Sequence, residues 1–353
     1  MTEVVEAPMA ALTDTDRTQG TQTGGEDELA RATALGLYAQ VVRIRRFEER
    51  AYKLFLEGLV KGTSHLSLGQ EAVAAGFAEA MRPDDYTFCT YRGHAHTLAR
   101  GTPMDGVMAE LLGRANGVCG GKGGSMHLTS VEHGAMGSFA IIGAHLPVAA
   151  GAAWSARLRG TEQASVCFFG DGTTNIGAFH EALNFAATWD LPVVYVCENN
   201  LYMEYTPIGS VTAVPNPAAD RAAAYGLEPI LIDGNDPELV YRTAAAALAR
   251  ARAGQGPSLI ECVTYRHGGH SRADPGDYRP KEEVEAWLAR DPLSGYRARL
   301  LAAGVPAADL DTIDAQADED VASATEAARN GPIPDLDSAY TDVWADGGSS
   351  WRN

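Results

Sequence analysis

The sequence of residues 170–200 is GDGTTNIGAFHEALNFAATWDLPVVYVCENN, and its pattern of apolar and polar residues indicates the fold class. A short apolar run at 164–169 leads into its Gly-Asp-Gly, and a second apolar run at 191–197 leads into its Glu-Asn-Asn. Apolar residues recur at helical spacing between the two runs. The pattern predicts a strand, a turn, a helix and a second, parallel strand. Both polar motifs should then lie at the carboxyl ends of neighbouring strands, where open α/β sheets bind ligands.

These polar motifs suit a bound diphosphate and its metal ion. Gly170 and Gly172 permit a sharp turn with close backbone approach to a ligand, and the free N–H groups of the helix that follows favour a phosphate. Asp171, which we expect in a surface-facing turn outside the core, and Asn200 supply the hard oxygen ligands that Mg²⁺ prefers. A Gly-Asp-Gly alone is more often an ordinary turn, and an Asn pair can cap a helix. The second motif at this distance favours the ligand site.

Length and composition narrow the class of protein. The 353 residues suit one large α/β domain over 29–353, preceded by a polar segment, 1–28, that we expect to be disordered. The net charge of −18 argues against nucleic-acid binding, because a polyanion requires clustered cations. Three of the five cysteines lie in apolar, strand-like runs, which predicts buried thiols in a reducing compartment. The sequence shows no membrane-length apolar run and no signal-peptide pattern, so we expect a cytoplasmic protein.

The first third of the chain contains two more polar motifs that are candidates for a functional site. His65 lies in a glycine-flanked turn before a helix predicted over 70–81, where a surface residue and a catalytic residue are equally consistent with the pattern. Tyr91 and Arg92 follow a predicted strand, and an arginine at a strand end is well placed to hold a phosphate. An ordinary salt bridge is the alternative for Arg92.

Two loops are further candidates for function. The glycine-rich loop, residues 120–127 with the sequence GGKGGSMH, is too long and too rich in glycine for a simple linker inside a compact domain. A nucleotide-binding P-loop would need Ser or Thr directly after its lysine, and Lys122 is followed by glycine. The polar loop 267–276, which contains His270, follows a strand predicted over 258–266. C-terminal helices are predicted over 281–290, 293–303 and 307–329.

Together these motifs resemble the alpha subunit of the decarboxylating first component of 2-oxo acid dehydrogenase complexes, the pyruvate, acetoin and branched-chain group. The resemblance covers about residues 30–345, and its paired Gly-Asp-Gly and Asn-Asn resemble the thiamine-diphosphate-binding motif. The matching motifs, in order, are 62–71, Tyr91-Arg92, 121–127, 170–200 and 265–276. The fold that the resemblance implies is α/β, a thiamine-diphosphate-binding fold with a mostly parallel sheet, helices on both faces and additional C-terminal helices.

The resemblance also implies a cofactor site. It assigns cofactor contacts to Tyr91, Arg92, Ala140, Ile142, Gly170, Asp171, Gly172, Asn200 and His270. The Mg²⁺ ion would be held by Asp171, the side chain of Asn200 and the backbone carbonyl of Tyr202. By the same resemblance His65 and His270 are the catalytic residues. His65 would lie near the reactive carbon of the thiazolium ring, and His270 would donate a proton, near its ordinary titration range, during acyl transfer.

The activity implied is oxidative decarboxylation of a 2-oxo acid, pyruvate in the first place, dependent on thiamine diphosphate and Mg²⁺. The acyl group would pass to a lipoyl group on the second component. Gly268 replaces a histidine of pyruvate-type relatives, and residues 199–206 look more like acetoin-type relatives. Acetoin cleavage and a branched-chain 2-oxo acid substrate are therefore alternatives. A transketolase-like half enzyme and a non-catalytic cofactor-binding scaffold are the alternatives from other classes.

The partners implied are a beta subunit and a lipoyl-bearing acyltransferase component. An α₂β₂ heterotetramer is expected, because enzymes of this kind bind the cofactor between two chains and the beta subunit supplies the activating glutamate. Obligate interfaces are large and apolar. We therefore assign the interface to Ile141, Ile142 and the alanine-rich helix after Pro147.

Overall fold

The computed structural model describes residues 29–342 and 344. The segment 1–28 lies outside the described residues, so its division from a domain over 29–353 stays a prediction. The α-helices are α1 Arg31–Leu56, α2 Glu71–Ala80, α3 His94–Ala99, α4 Met104–Leu111, α5 His145–Arg159, α6 Gly177–Thr188, α7 Pro237–Arg252, α8 Lys281–Leu288, α9 Pro292–Ala302 and α10 Ala307–Asn330. The strands are β1 Tyr86–Thr90, β2 Ala135–Phe139, β3 Ser165–Gly170, β4 Val193–Asn199, β5 Tyr202–Met203, β6 Thr206–Pro207, β7 Ile230–Asp233 and β8 Ser258–Val263.

Six of the strands form one sheet in the order β2-β1-β3-β4-β8-β7. Every pairing within it is parallel, which confirms the predicted α/β class. The remaining two strands, β5 and β6, form a short antiparallel hairpin directly after β4. Because the six strands are parallel, all of their carboxyl ends lie at one edge of the sheet.

Helices cover both faces of this sheet, as predicted. In β3, Cys167 and Phe169 pack against α5 and α6 on one face. Their neighbours Val166 and Phe168 pack against α2 and α7 on the other face. A strand covered on both sides favours apolar residues on both faces, which is why 164–169 is apolar at every position except Ser165.

A further helical layer surrounds the sheet. The long helix α1 packs against α2, α9 and α10, and its apolar side chains, among them Leu37, Phe47 and Leu54, are buried. The C-terminal helices α8, α9 and α10 occupy nearly the predicted ranges. The amphipathic spacing of α1 also places Glu48 on its buried face.

Two predicted boundaries differ from the structure. Residues Asp171–Asn175 form a 3₁₀ turn, and α6 begins only at Gly177, because Ile176 has an extended backbone conformation between them. The strand predicted over 258–266 ends at Val263. Its ladder stops there because β4, the strand beside it, ends at Asn199.

The described residues confirm the predicted burial of three cysteines. Cys167, Cys197 and Cys262 are buried free thiols. None of the described helices combines the length and the apolar character needed to span a lipid bilayer.

Candidate active site

The predicted site residues follow the carboxyl ends of five parallel strands. They are Tyr91 and Arg92 after β1, Ala140 and Ile142 after β2, Asp171 and Gly172 directly after Gly170 of β3, Asn200 and Tyr202 after β4, and His270 after β8. These strands are neighbours in the sheet, so its topology brings together distant residues such as Arg92 and His270, which are 178 positions apart. The edge thus contains every predicted cofactor residue.

Three aromatic rings meet at this edge. The ring of His65 lies 4.3 Å from the ring of Tyr91 and 4.9 Å from the ring of His270, measured between centroids. His65 is buried, which excludes the alternative that it is a surface residue. Its turn is therefore part of the site, although it belongs to no strand of the sheet.

Both histidines are neutral at pH 7. Burial, followed by the positive charge of Arg92, lowers the pKa of His65 to about 2. Burial and the charges of Arg92 and Arg266 lower the pKa of His270 to about 4. The expectation that His270 titrates near neutral pH is wrong for the cofactor-free chain, because burial and two guanidinium groups oppose its protonation.

Two buried arginines give the site a positive charge. Arg92 donates to the backbone carbonyls of Leu66 at 2.5 Å and His270 at 2.9 Å. Arg266 donates to the carbonyl of Glu204 at 2.9 Å and to the side-chain oxygen of Asn200 at 3.2 Å.

Neither of these guanidinium groups forms an ion pair with a carboxylate in the described part of the chain, so the salt-bridge alternative for Arg92 is wrong. Burial and the repulsion from Arg266 lower the pKa of Arg92 to about 10. Burying an uncompensated charge costs several kcal/mol. The pair therefore indicates a site for an anion.

Asp171 is buried, with 2% of its surface exposed, and the expectation of a surface-facing turn is wrong. The β5–β6 hairpin covers the turn: a Cβ atom on Gly172 would lie 2.5 Å from the side chain of Met203. Oδ1 of Asp171 accepts from the N–H of Gly172 at 2.6 Å, and Oδ2 has no partner among the described residues. Burial raises the pKa of Asp171 to about 7, and the N–H groups of Gly172 and Asn200 and the charge of Arg266 offset this rise only in part.

The two glycines beside Asp171 have roles other than the predicted sharp turn. Neither Gly170 nor Gly172 has a positive φ, so the backbone conformation does not require glycine. Gly172 leaves room for Met203 of the hairpin, and a Cβ on Gly170 would face open space. Gly170 therefore leaves the sheet edge open beside Asp171.

The three residues predicted to bind the metal ion lie at this edge, and each of them offers an oxygen atom to such an ion. Arg266 donates to Asn200 Oδ1 at 3.2 Å and to the carbonyl oxygen of Tyr202 at 3.4 Å, which holds these two oxygens close together. Asn200 leads into β5, so it does not cap a helix. Within 29–342 and 344, no group of three or more His, Cys, Asp and Glu side chains could hold a metal ion. One carboxylate, one amide oxygen and one carbonyl are instead a set of hard oxygens that fits Mg²⁺.

Four buried polar atoms of this edge lack a hydrogen-bond partner among the described residues. They are Nδ1 of His65, Nε2 of Gln70, Oδ2 of Asp171 and Nη1 of Arg266. Each such atom costs about 1–3 kcal/mol when it is left unsatisfied. Donors and an acceptor that are unsatisfied at one place indicate a polar ligand with both anionic and cationic parts.

The segment that follows β2 borders the same turn. A Cβ atom on Gly143 would lie 3.6 Å from the side chains of Thr173 and Ile176, which places the segment against the 3₁₀ turn. Ile141 is 74% exposed and Ile142 is partly exposed. The role of Ile142 in supporting a cofactor stays a prediction.

The family of the chain follows from comparison with known proteins. A family model described as the dehydrogenase E1 component matches residues 39–337. The chain belongs to this family. This confirms the resemblance drawn from the separate motifs, and it covers the sheet, the strand-end residues and most of the helical layer.

The relatives of this E1 chain include alpha subunits of two kinds. It is 42% identical to the alpha subunit of acetoin:2,6-dichlorophenolindophenol oxidoreductase of Bacillus subtilis, over 90% of this chain and 95% of that protein. It is also 42% identical to the pyruvate dehydrogenase E1 component subunit alpha of Zymomonas mobilis, over 89% of each chain. The corresponding subunit of Rhizobium meliloti is 39% identical, over 90% of this chain and 91% of that protein. The chain is thus equally similar to an acetoin-type and to a pyruvate-type alpha subunit.

Two residues of the E1 site have no role in the sequence prediction. Arg266 follows the end of β8 just as Arg92 follows the end of β1, so the rule that assigned Arg92 applies equally to Arg266. Gln70 lies in the motif of His65, and its Oε1 lies 3.4 Å from Nδ2 of Asn200. Gln70 and Asn200 are 130 positions apart, and no regular spacing in the sequence predicts their contact.

Proposed function

We propose that this chain is the alpha subunit of a thiamine-diphosphate- and Mg²⁺-dependent 2-oxo acid dehydrogenase that decarboxylates pyruvate. The acyl group would pass to a lipoyl group on the acyltransferase component. One observation carries the proposal: the buried guanidinium groups of Arg92 and Arg266 have no carboxylate partner in the described residues and lie at the same sheet edge as Asp171. A diphosphate supplies the missing negative charge for the arginines, and its Mg²⁺ supplies the missing positive charge for Asp171.

Different residues of this chain would bind the metal ion, the diphosphate and the aminopyrimidine ring. Oδ2 of Asp171, Oδ1 of Asn200 and the carbonyl of Tyr202 would hold Mg²⁺. Side chains that would contact the diphosphate are Tyr91, Arg92, Arg266 and His270, and backbone near Ala140 and Ile142 would meet the aminopyrimidine. When bound, thiamine diphosphate supplies the electron sink that decarboxylation of a 2-oxo acid requires.

The two histidines would act on protons near the reacting atoms. His65 is neutral at pH 7, since burial and Arg92 hold its pKa at about 2, and its free Nδ1 can form a hydrogen bond to a substrate oxygen. The pKa of His270 is held at about 4 by burial and two arginines. Negative charge from a diphosphate opposes both arginines and would raise this pKa towards neutrality. His270 would thereby become a proton donor for acyl transfer only in the loaded enzyme.

Completion of the site would require a beta subunit. Ile141, Ile142 and Val148 form an exposed apolar stretch beside the site, at the start of α5. The alanines of α5 are buried against the sheet of this chain, so the assignment of the alanine-rich part of this helix to the interface is wrong. Exposed apolar surface of this kind is typical of a protein interface. We propose that the beta subunit covers this stretch in an α₂β₂ heterotetramer and supplies the activating glutamate. A cytoplasmic location stays a prediction.

Acetoin cleavage is the second candidate, because the chain is as similar to an acetoin-type alpha subunit as to a pyruvate-type one. The chain should be co-expressed with its beta subunit and assayed with pyruvate, acetoin and branched-chain 2-oxo acids, using an artificial electron acceptor. Turnover of pyruvate supports the first proposal, and turnover of acetoin alone supports the second. Turnover of sugar phosphates would indicate a transketolase-like half enzyme, and cofactor binding without turnover a scaffold.

A further inference from the structure

A closed set of buried hydrogen bonds lies behind the turn that carries His65. Oε1 of Glu48 accepts from the backbone N–H of Ser67 at 2.8 Å, and Oε2 of Glu48 lies 2.8 Å from Nδ1 of His94. Nε2 of His94 lies 2.8 Å from Oγ of Ser125, whose hydroxyl donates to Oγ of Ser64 at 2.9 Å. The chain from Ser64 to Ser67 closes the circuit. We call these residues the Glu48 ring.

The Glu48 ring is inaccessible to substrates. Glu48 and His94 are 0% exposed, and Ser64 and Ser125 are 2% exposed. Ser125, His94 and Glu48 have the residue types of a nucleophilic triad. A hydroxyl buried to this degree cannot attack a substrate, so the arrangement does not support a hydrolase activity. A fully satisfied buried polar network instead fixes one arrangement of the segments that it joins.

The ring joins four segments around one functional residue. Glu48 comes from α1, His94 from the start of α3, Ser125 from the glycine-rich loop, and Ser64 and Ser67 from the turn. His65 lies between the two points at which the turn is held. This turn also holds the loop that carries His270, because the backbone N–H of Arg272 donates to the carbonyl of Ser64 at 3.0 Å.

The glycine-rich loop is folded around a carboxylate of the protein itself. Glu110 is fully buried and accepts four backbone N–H groups. The donors are Cys119 at 2.8 Å and Gly121 at 2.9 Å to Oε2, and Gly123 at 2.7 Å and Gly124 at 3.0 Å to Oε1. Successive backbone N–H groups of this kind bind a phosphate in other loops. Here Glu110 occupies them, so the loop is not left to bind a phosphate and instead places Ser125.

We propose that Glu48, His94, Ser125 and Ser64 are positioning residues for His65, and that the glycine-rich loop serves to place Ser125 in this ring. None of the four side chains lies within the set that would touch the cofactor. The inference rests on the proposed function in one respect, namely that His65 takes part in turnover. A displacement of a reacting group by about 1 Å can cost about 10²-fold in rate.

The test is a double-mutant cycle in the alpha chain co-purified with its beta subunit. We expect Ser125→Ala to lower kcat by about 10- to 100-fold with little change in KM. In a His65→Ala background the same change should have no further effect, because the ring acts through His65. Ser64→Ala breaks the same hydroxyl contact from its other side and should reproduce the loss if Ser125→Ala fails to fold. The control is Ser258→Ala, which removes a buried hydroxyl without a partner from β8 and should leave kcat unchanged.

Crystal structures provide a readout that does not depend on turnover. In Ser125→Ala the ring of His65 should move from its positions 4.3 Å from Tyr91 and 4.9 Å from His270, while cofactor affinity by calorimetry stays near that of the wild type. An equal loss of kcat in both backgrounds, an unmoved His65, or full activity of His65→Ala would each overturn the inference. A wild-type complex that turns over none of the substrates would overturn the proposed function alone, since the displacement of His65 would still report on the ring.

Discussion

Arg266 donates its Nε–H to the side-chain oxygen of Asn200 at 3.2 Å, and its guanidinium also reaches the carbonyl of Tyr202 at 3.4 Å. One buried cation thus holds two of the three oxygens that would bind Mg²⁺. A metal ion at these oxygens would compete with the guanidinium for them. Arg266 would then be available to the diphosphate through Nη1, which has no partner among the residues described.

We therefore expect Arg266→Met to weaken binding of thiamine diphosphate with Mg²⁺. A hydrogen bond to a charged group contributes about 1.5–3 kcal/mol, which corresponds to roughly 10- to 100-fold in affinity. Calorimetry on the variant measures this, with the exposed Arg250→Met as the matched control. An affinity equal to that of the wild type would remove Arg266 from the site.

Asp171→Ala should abolish Mg²⁺-dependent cofactor binding and leave the fold intact. The carboxyl is buried, but its Oδ2 has no partner in the described structure and its pKa is raised to about 7 by burial, so its charge does not stabilise the folded chain. Outer-sphere partners of a metal typically contribute about 10- to 100-fold in affinity, and a direct ligand should contribute at least as much. Calorimetry and thermal unfolding of the same sample separate binding from folding. Undiminished affinity would refute the metal assignment.

The sequence shows why this edge of the sheet could be predicted. The polar motifs at 91–92, 170–172, 199–200 and 267–276 each follow a predicted strand, and parallel strands necessarily bring such ends together. The burial of Asp171 could not be predicted in this way, because it depends on the hairpin that places Met203 against Gly172. A turn after a strand looks the same in sequence whether or not a later segment covers it.

The Glu48 ring has no sequence signal for a related reason. Glu48 and His94 are 46 positions apart, and Ser64 and Ser125 are 61 positions apart. Neither sequence separation matches the period of a helix or a strand. Only the packing of α1 and the glycine-rich loop brings these residues together. The glycine content of the loop is unusual in the sequence, but Glu110, the residue that binds its backbone N–H groups, lies outside it on α4.

The stability of the cofactor-free chain should fall as the pH decreases from about 6.5 towards 4. The pKa values of His65 and His270 are lowered to about 2 and about 4, so the unfolded chain binds protons in this range before the folded chain does. Each histidine contributes at most about 1.4 kcal/mol per pH unit. The pKa of Asp171 is raised to about 7, so below this pH the folded chain binds a proton that the unfolded chain does not yet bind. This effect increases stability as the pH decreases and opposes the effect of the histidines.

Urea unfolding at pH 5 and pH 7 measures this dependence. In His270→Asn the difference in unfolding free energy between the two pH values should be smaller than in the wild type. A difference of the same size would mean that the loop does not exclude the charged imidazole.

The exposed apolar stretch at 141–148 predicts the effect of a charge on assembly. Ile141→Asp should leave the isolated chain folded, because the side chain is exposed, and should prevent its association with the beta subunit. Light scattering of the co-expressed proteins should show the heterotetramer mass for the wild type and for Ile333→Asp, the same change at another exposed isoleucine. A monomer with full turnover and no partner would contradict the interface.

His270 should matter more for acyl transfer than for decarboxylation. Its loop is held through backbone contacts, namely Arg92 to the carbonyl of His270 at 2.9 Å and the N–H of His270 to Asp274 at 2.5 Å, so His270→Ala keeps the loop in place. Removal of a general acid typically costs about 10²–10⁴-fold in the step that it serves. Lipoyl-dependent turnover should therefore fall by at least about 100-fold. Turnover with an artificial electron acceptor should fall much less, because that assay does not include proton donation to a lipoyl sulfur.

The pH dependence of the same two assays separates a proton donor from a phosphate contact. If His270 donates the proton, lipoyl-dependent turnover of the wild type should decline at high pH, as the imidazolium is lost, and the decline should be absent in His270→Asn. Its pKa is about 4 without the cofactor, so the decline should appear near neutral pH only if the diphosphate offsets Arg92 and Arg266. Equal losses in both assays at every pH would show that His270 serves cofactor binding, and the role as proton donor would have to be abandoned.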